Sequence, residues 1–302
     1  LLPAKYFHVV FTLPQIINSV AITHPRLIYN LLFKAAWATI QEFGLDTKWL
    51  GGKVGMVSIL HTWGQNMSLH PHLHCIVPGV AVDEKGYYKR VKAKSKILFP
   101  VRAMSKMFRG KYCHLLKKKL QDEYQKIQQE LYKHQWVVYA KQPFGGSEQV
   151  IEYLGRYTHK IAISNHRIKS VKEDKVTFSY KDYRQAGKPK AMTLVDEEFI
   201  RRFSLHILPK GFVRIRHYGI LSSTWKRGKL QEIQRKMTTN SSQTQSTSID
   251  KVAPNSQQGQ CPCCKQYSLT ILCLFDKRGP PDKWLKKLKE YQLNKVKENN
   301  VS

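Results

Sequence analysis

The run HPHLHC at residues 70–75 constrains this chain more than any other stretch, because it alternates imidazoles with apolar groups. Side chains at i and i+2 of a strand share a face, so His72 and His74 project together while Leu73 and Cys75 turn towards a core. Residues 53–62 (KVGMVSILHT) read as a neighbouring strand, WGQNMSLHP as a loop, and 72–80 as the returning strand, with Pro71 marking its start. Two imidazoles rooted about 7 Å apart can converge on one metal ion. In a hairpin centred on that loop His61 lies across from His72 and is the expected third ligand, with Gln65 and His70 as alternatives. A metallo-β-lactamase pattern would need Asp where Ile76 stands, and a hairpin does not suit the βα barrel of an amidohydrolase.

The second informative stretch is YLGRY at 153–157. In a helix beginning after Ser147, Tyr153 and Tyr157 occupy one face at i and i+4. Arg156, His159 and Lys160 lie within a turn of them; cations line a hydrophobic core poorly but suit a phosphodiester and ease formation of a phenolate. A free tyrosine, with a pKa of ~10, needs such help to act as a nucleophile. The basic run continues through THKIAISNHRIK at 158–169. Further on, FVRIRHYG at 212–219 reads as a strand with Val213, Ile215 and His217 on one side and Arg214, Arg216 and Tyr218 on the other. Both arginines are candidates for nucleic-acid contact.

Charge supports that direction. The 302 residues carry 51 Lys+Arg against 21 Asp+Glu, a formal net charge of +30 that calls for a polyanionic partner. A hydrophobic content of 42% supports a large core, and 11% aromatics exclude a purely disordered basic protein. No apolar run approaches the ~18 residues of a membrane span. The opening LLPAKYFHVVFTLP reads as a strand and not a signal peptide, so a cytoplasmic protein is expected.

Along the chain, strands are expected at 5–13 and 136–140, a helix from Pro25 to about 43, and a proline-free helical stretch over 102–134. A hairpin over 175–195 turns at QAGKPK, and a short helix covers 196–206. A core domain therefore spans 1–235, a polar linker 236–260, and a cysteine-containing basic tail 261–302. In that tail Cys261 and Cys264 form one CxxC, which could hold zinc only if Cys263 and Cys273 complete the set; a reduced tail without metal is the other reading.

Taken together, HPHLH, YLGRYTHK, the opening YFHVVFTLP, the HTWGQN loop and RIRHYG resemble the two-tyrosine HUH transposases of rolling-circle insertion sequences, over roughly residues 1–230. HUH denotes His-hydrophobe-His, matched by His72, Leu73 and His74. The resemblance implies an α+β fold, a central antiparallel sheet with flanking helices, the histidine strand in its middle and the tyrosine helix beside it. It also implies that His72 and His74 hold magnesium or manganese, and that Tyr153 or Tyr157 attacks single-stranded DNA at an element end to leave a 5′-phosphotyrosine. Replication initiators and relaxases share this chemistry and are the alternative role; a non-catalytic DNA-binding remnant is another. Such transposases usually begin with a cysteine-rich zinc-binding region ahead of a start like LLPAKYFH; this sequence opens on Leu1 without one, and an incomplete copy is the expectation.

Overall fold

The β-branched and aromatic run near the start forms strand β1 (Tyr6–Thr12), and helix α1 (Asn18–Thr23) follows it. Helix α2 (Pro25–Leu45) begins on Pro25, where the missing N–H would have had no intrahelical partner in any case. The computed structural model describes residues 2–242, apart from 93–94, 134, 142, 145–146 and 159–160. Strands β2 (Gly55–Trp63) and β3 (Leu69–Pro78) come next, then a short ribbon of β4 (Val80–Val82) and β5 (Tyr88–Arg90). The proline-free stretch expected over 102–134 is two helices, α3 (Val101–Lys119) and α4 (Gln121–Lys133), because Leu120 leaves helical geometry at φ −142° and ψ 70°. After β6 (Val138–Ala140) comes α5 (Ser147–Thr158), the helix carrying both tyrosines.

A separate three-stranded meander of β7 (Ile168–Lys172), β8 (Lys175–Asp182) and β9 (Lys188–Val195) leads into α6 (Asp196–Ser204). The expected 175–195 hairpin is thus two strands of a three-stranded sheet. Strand β10 (Ile215–Gly219) then returns to the main sheet, and α7 (Ser223–Lys226) and α8 (Lys229–Ser242) complete the described chain. Helix α8 buries Met237, so regular structure continues past the boundary expected at 235.

The main sheet has five antiparallel strands in the order β10-β2-β3-β1-β6, flanked by helices as expected. Alternation sorts its residues onto two faces. On one, Phe7, Val9, Phe11, Leu60, Leu73 and Cys75 pack against Phe33, Ala36 and Ile40 of α2 and Met104 and Phe108 of α3. On the other, Tyr6, Val57 and Ile76 meet Val150 of α5 and Ile233 and Met237 of α8. Ile220 and Leu221 also belong to this second cluster, and the chain reaches them through Gly219. Its φ of +57° is left-handed, and a Cβ there would lie 1.9 Å from the Val54 carbonyl oxygen, so only glycine fits. Among the described residues no helix is long and apolar enough to cross a membrane.

Candidate active site

The β2–β3 register places His61 opposite His72, with His74 two residues further along β3 on the same face. One ring nitrogen from each of the three lies within 4.8 Å of the others. Local structure explains how they meet. Strand β3 starts at Leu69, earlier than Pro71, because the pairing shifts between His61 and Trp63: Trp63 pairs with Leu69, and the extra residue forms a bulge where a proline without an N–H is tolerated. His70 lies in that bulge, exposed, and stays outside the three-histidine group; Gln65 is exposed in the preceding turn.

The protein orients these rings. His72 Nδ1 donates to the His70 carbonyl at 2.7 Å, which leaves Nε2 as the free ligand atom. Trp63 stacks on His61, with ring centroids 4.6 Å apart. Burial lowers the His72 pKa to about 4, against the opposing pull of the His70 carbonyl bond. The neutral imidazole, which is the metal-binding form, therefore prevails at neutral pH. Three imidazoles at this spacing could hold one metal ion, and imidazole donors alone do not choose which.

A fourth histidine, absent from the sequence reading, completes the site. Strand β1 lies on the far side of β3, and its alternation brings His8 onto the histidine face. His8 Nε2 is 3.0 Å from His74 Nδ1 and 2.7 Å from the Tyr153 hydroxyl, and that hydroxyl is 3.0 Å from His74 Nδ1. These three polar atoms form a closed triangle. Burial, then the charges of Lys141 and His72, lower the His8 pKa to about 4. His8 Nδ1 is buried and makes no hydrogen bond, a cost of about 1–3 kcal/mol that a purely structural histidine has no reason to carry. Tyr153 is held from the α5 side by Phe144, at 5.3 Å between ring centroids, and packs in the same cluster as Val150 one turn earlier.

The remaining candidates separate. Tyr157 and Arg156 sit in α5, and their side chains lie outside what is described; His159, Lys160, Cys261 and Cys264 lie outside the described residues altogether. Arg216 falls on the helix-covered face of the sheet, opposite the histidines: its guanidinium donates to Asn30 Oδ1 at 2.5 Å and lies 4.1 Å from the centre of the Phe33 ring. Arg214 precedes β10 and is half-buried, its pKa lowered by burial. Within the basic run after α5, Arg167 donates to the carbonyls of Ser179 at 2.9 Å, Ala162 at 3.3 Å and Gln65, so it ties the meander to the turn after β2. A cation that the sequence did not single out, Lys141, follows β6, and its backbone N–H donates to the His8 carbonyl at 3.0 Å. Only the strand order could have pointed to His8 and Lys141, since both reach the site across non-local pairings.

Residues 55–229, which include the histidine hairpin and the tyrosine helix, match the family model Y2_Tnp, described as "Putative transposase". The chain belongs to this transposase family. Over 308 aligned residues it is 39% identical to "Putative transposase y4qJ" of Sinorhizobium fredii, covering 94% of this chain and 77% of that protein. It is also 26% identical over 230 residues to the "Transposase for insertion sequence element IS801" of Pseudomonas savastanoi pv. phaseolicola, covering 72% of this chain and 54% of that one. The rolling-circle insertion-sequence resemblance read from the motifs thus holds at the level of family.

Proposed function

We propose that this transposase nicks and rejoins single-stranded DNA through a tyrosine-linked intermediate at the histidine face of the central sheet. The observation that carries the reading is the Tyr153 hydroxyl, held by His8 and His74 beside a group of three imidazoles able to take a metal. Both relatives are named transposases, one of them of an insertion sequence, which favours this role over a plasmid initiator or relaxase with the same chemistry.

In the proposed reaction the Tyr153 oxygen attacks the scissile phosphorus. A Tyr–O–P bond to the 5′ side forms as the P–O3′ bond breaks. The phenolic proton passes to His8 Nε2, which accepts it as a neutral imidazole, and the released 3′ oxygen takes up a proton to become a hydroxyl. Energy of the phosphodiester is kept in the phosphotyrosine, so no nucleotide triphosphate is consumed. His74 Nδ1 lies 3.0 Å from the same phenolic oxygen, and in its Nδ1–H tautomer it donates there and stabilises the developing charge. Lys141, exposed beside His8, is placed to offset phosphate charge. His61, His72 and His74 would hold a divalent cation, magnesium or manganese by the family resemblance, which when bound would supply Lewis-acid polarisation. Tyr157, one turn along α5, would take the second strand in a rolling-circle sequence of transfers.

The test is incubation of labelled single strands spanning candidate element ends with magnesium or manganese, followed by denaturing gels. Wild-type protein is expected to yield a covalent protein–DNA band that is lost in Tyr153→Phe and His72→Ala. Tight binding of the correct ends with no covalent band under either metal would leave a DNA-binding remnant and end the catalytic reading.

A further inference from the structure

From Lys85 to Gln121 the chain carries 13 Lys and Arg and no Asp or Glu, so these 37 residues hold +13 of the net charge of +30. The cleavage centre uses none of them. Helix α3 lies in this stretch and has two unlike sides. Met104, Phe108, Tyr112 and Leu116, four apart, are buried in the main core. Arg102, Lys106, Gly110 and His114, also four apart, are exposed, as are Ala103, Lys117 and Lys118. Lys111 pairs with Glu42, and Arg109 donates to the Tyr132 carbonyl at 3.5 Å and lies 4.9 Å from the centre of its ring. Arg102, Lys106, Lys117, Lys118 and Lys119 make no ion pair among the described residues. Such a row, about 22 Å long at 1.5 Å per residue, repels itself unless a polyanion lies along it.

Gly110 sits midway along that row. Glycine inside a helix is less favourable than alanine, and packing does not ask for it here, since a Cβ at Gly110 would meet nothing within 4 Å. Gly110 and Ala103 leave a low crest over which another molecule can approach the helix closely. Helical spacing puts Arg102 and Lys106 on one flank of the crest and Lys118 on the other. A B-DNA major groove, about 12 Å wide, admits one α-helix, and cations on both flanks then meet the phosphates of its two walls. Single strands are gripped by stacking on aromatic rings, and the exposed residues of α3 include no Phe, Tyr or Trp. A lipid surface would ask for large apolar groups among the cations, which this ridge also lacks. Helix α3 covers the sheet face opposite the histidines, so a duplex docked on it leaves the histidine face open.

We infer that the outer ridge of α3 is a docking surface for duplex DNA, seated in the major groove with Ala103 and Gly110 towards the base edges and Arg102, Lys106 and Lys118 on flanking phosphates. This surface goes beyond the strand-transfer reading and needs neither tyrosine nor metal. The probe is a fluorescent duplex of roughly 20 base pairs, two helical turns, compared with one of its strands alone. Anisotropy would follow binding to the full chain over a range of salt. A triple variant of Arg102→Gln, Lys106→Gln and Lys118→Gln should weaken duplex binding about tenfold or more and lower the salt slope by about 2 to 3, close to 0.9 per lost phosphate contact. Single-strand affinity should fall about threefold or less, through net charge alone. Gly110→Glu, which replaces glycine by a better helix former, should weaken duplex binding about fivefold without lowering the melting temperature. As a control, Lys172→Gln, Lys175→Gln and Lys181→Gln together remove the same charge from exposed positions of β7 and β8 and should leave the slope unchanged. An unchanged affinity and slope in the folded triple variant, or an equal drop in the control, overturns the proposal. So does an equal loss on the single strand, which would make the ridge a general polyanion surface. Loss of binding to phosphatidylserine vesicles with duplex binding untouched would give the ridge to a lipid surface instead. If melting curves show that the triple variant fails to fold, Gly110→Glu decides alone. Covalent adduct on short single strands separates the two readings: it should survive in the triple variant, whereas variant-sensitive duplex binding in a protein that forms no adduct removes the strand-transfer reading and keeps the docking surface.

Discussion

One face of the central sheet carries Phe7, Val9, Phe11, Leu73 and Cys75, each at most 1% exposed beneath α2 and α3; the face behind it carries His8, His61, His72 and His74. Both sets ride on the same strands one residue apart. Packing on the first face fixes the register, and the register then assembles the second face without further instruction. A slip of one residue would send the histidines into the core and the phenylalanines to the site. The two faces also differ in dryness. Aromatic and aliphatic groups close the first completely, whereas His72 on the second keeps an open edge while enough burial remains to hold it and His8 neutral.

That contrast predicts different failures. The largest effect belongs to the histidine face: Tyr153→Phe or His72→Ala should cut covalent adduct formation by about 10³-fold or more, with melting temperature little changed. Next come truncations on the packed face. Phe11→Ala and Leu73→Ala should each lower unfolding free energy by about 2–5 kcal/mol in urea titrations, and adduct formation should fall only as far as the folded fraction does.

Metal comes third. At a manganese concentration about 100 times the dissociation constant, wild-type protein should gain about 2.7 kcal/mol by mass action, read as a rise in melting temperature that a chelator reverses. His61→Ala should lose that rise. The smallest effect is Arg216→Met. Its guanidinium is spent on Asn30, Phe33 and Phe212, so the change should cost about 1–3 kcal/mol of stability and leave the salt slope of DNA binding untouched. A reduced slope would move Arg216 to the DNA-facing side of the comparison.

How much of this could be read in the residues follows from distance along the chain. HPHLHC and the strand before it are joined by a short loop, so alternation and hairpin geometry suffice to put His61 across from His72. The same logic stops at β1. His8 reaches Tyr153 and His74 because β1 pairs with β3 across most of the first eighty residues, and periodicity carries no information on which strand lies beside which. Alternation puts Arg216 on one side of its strand, but which side α2 covers is a property of packing and not of alternation. Leu120 sits on the same apolar stripe as Leu116 and Tyr124, so the stripe is continuous where the backbone is not. By residue type alone Pro71 marks a strand start, because proline cannot donate to a ladder; the bulge removes the need for that donor.

The most direct test of the account is to locate the nucleotide in a single-turnover adduct. Trypsin cuts after Arg156 and so separates Tyr153 from Tyr157 onto different peptides. The geometry at His8 and His74 predicts that mass spectrometry will find the nucleotide on the peptide ending at Arg156, and that Tyr153→Phe abolishes it. Modification confined to the peptide that begins at Tyr157, or to no tyrosine at all, would contradict the assignment of the His8–His74–Tyr153 triangle as the cleavage centre.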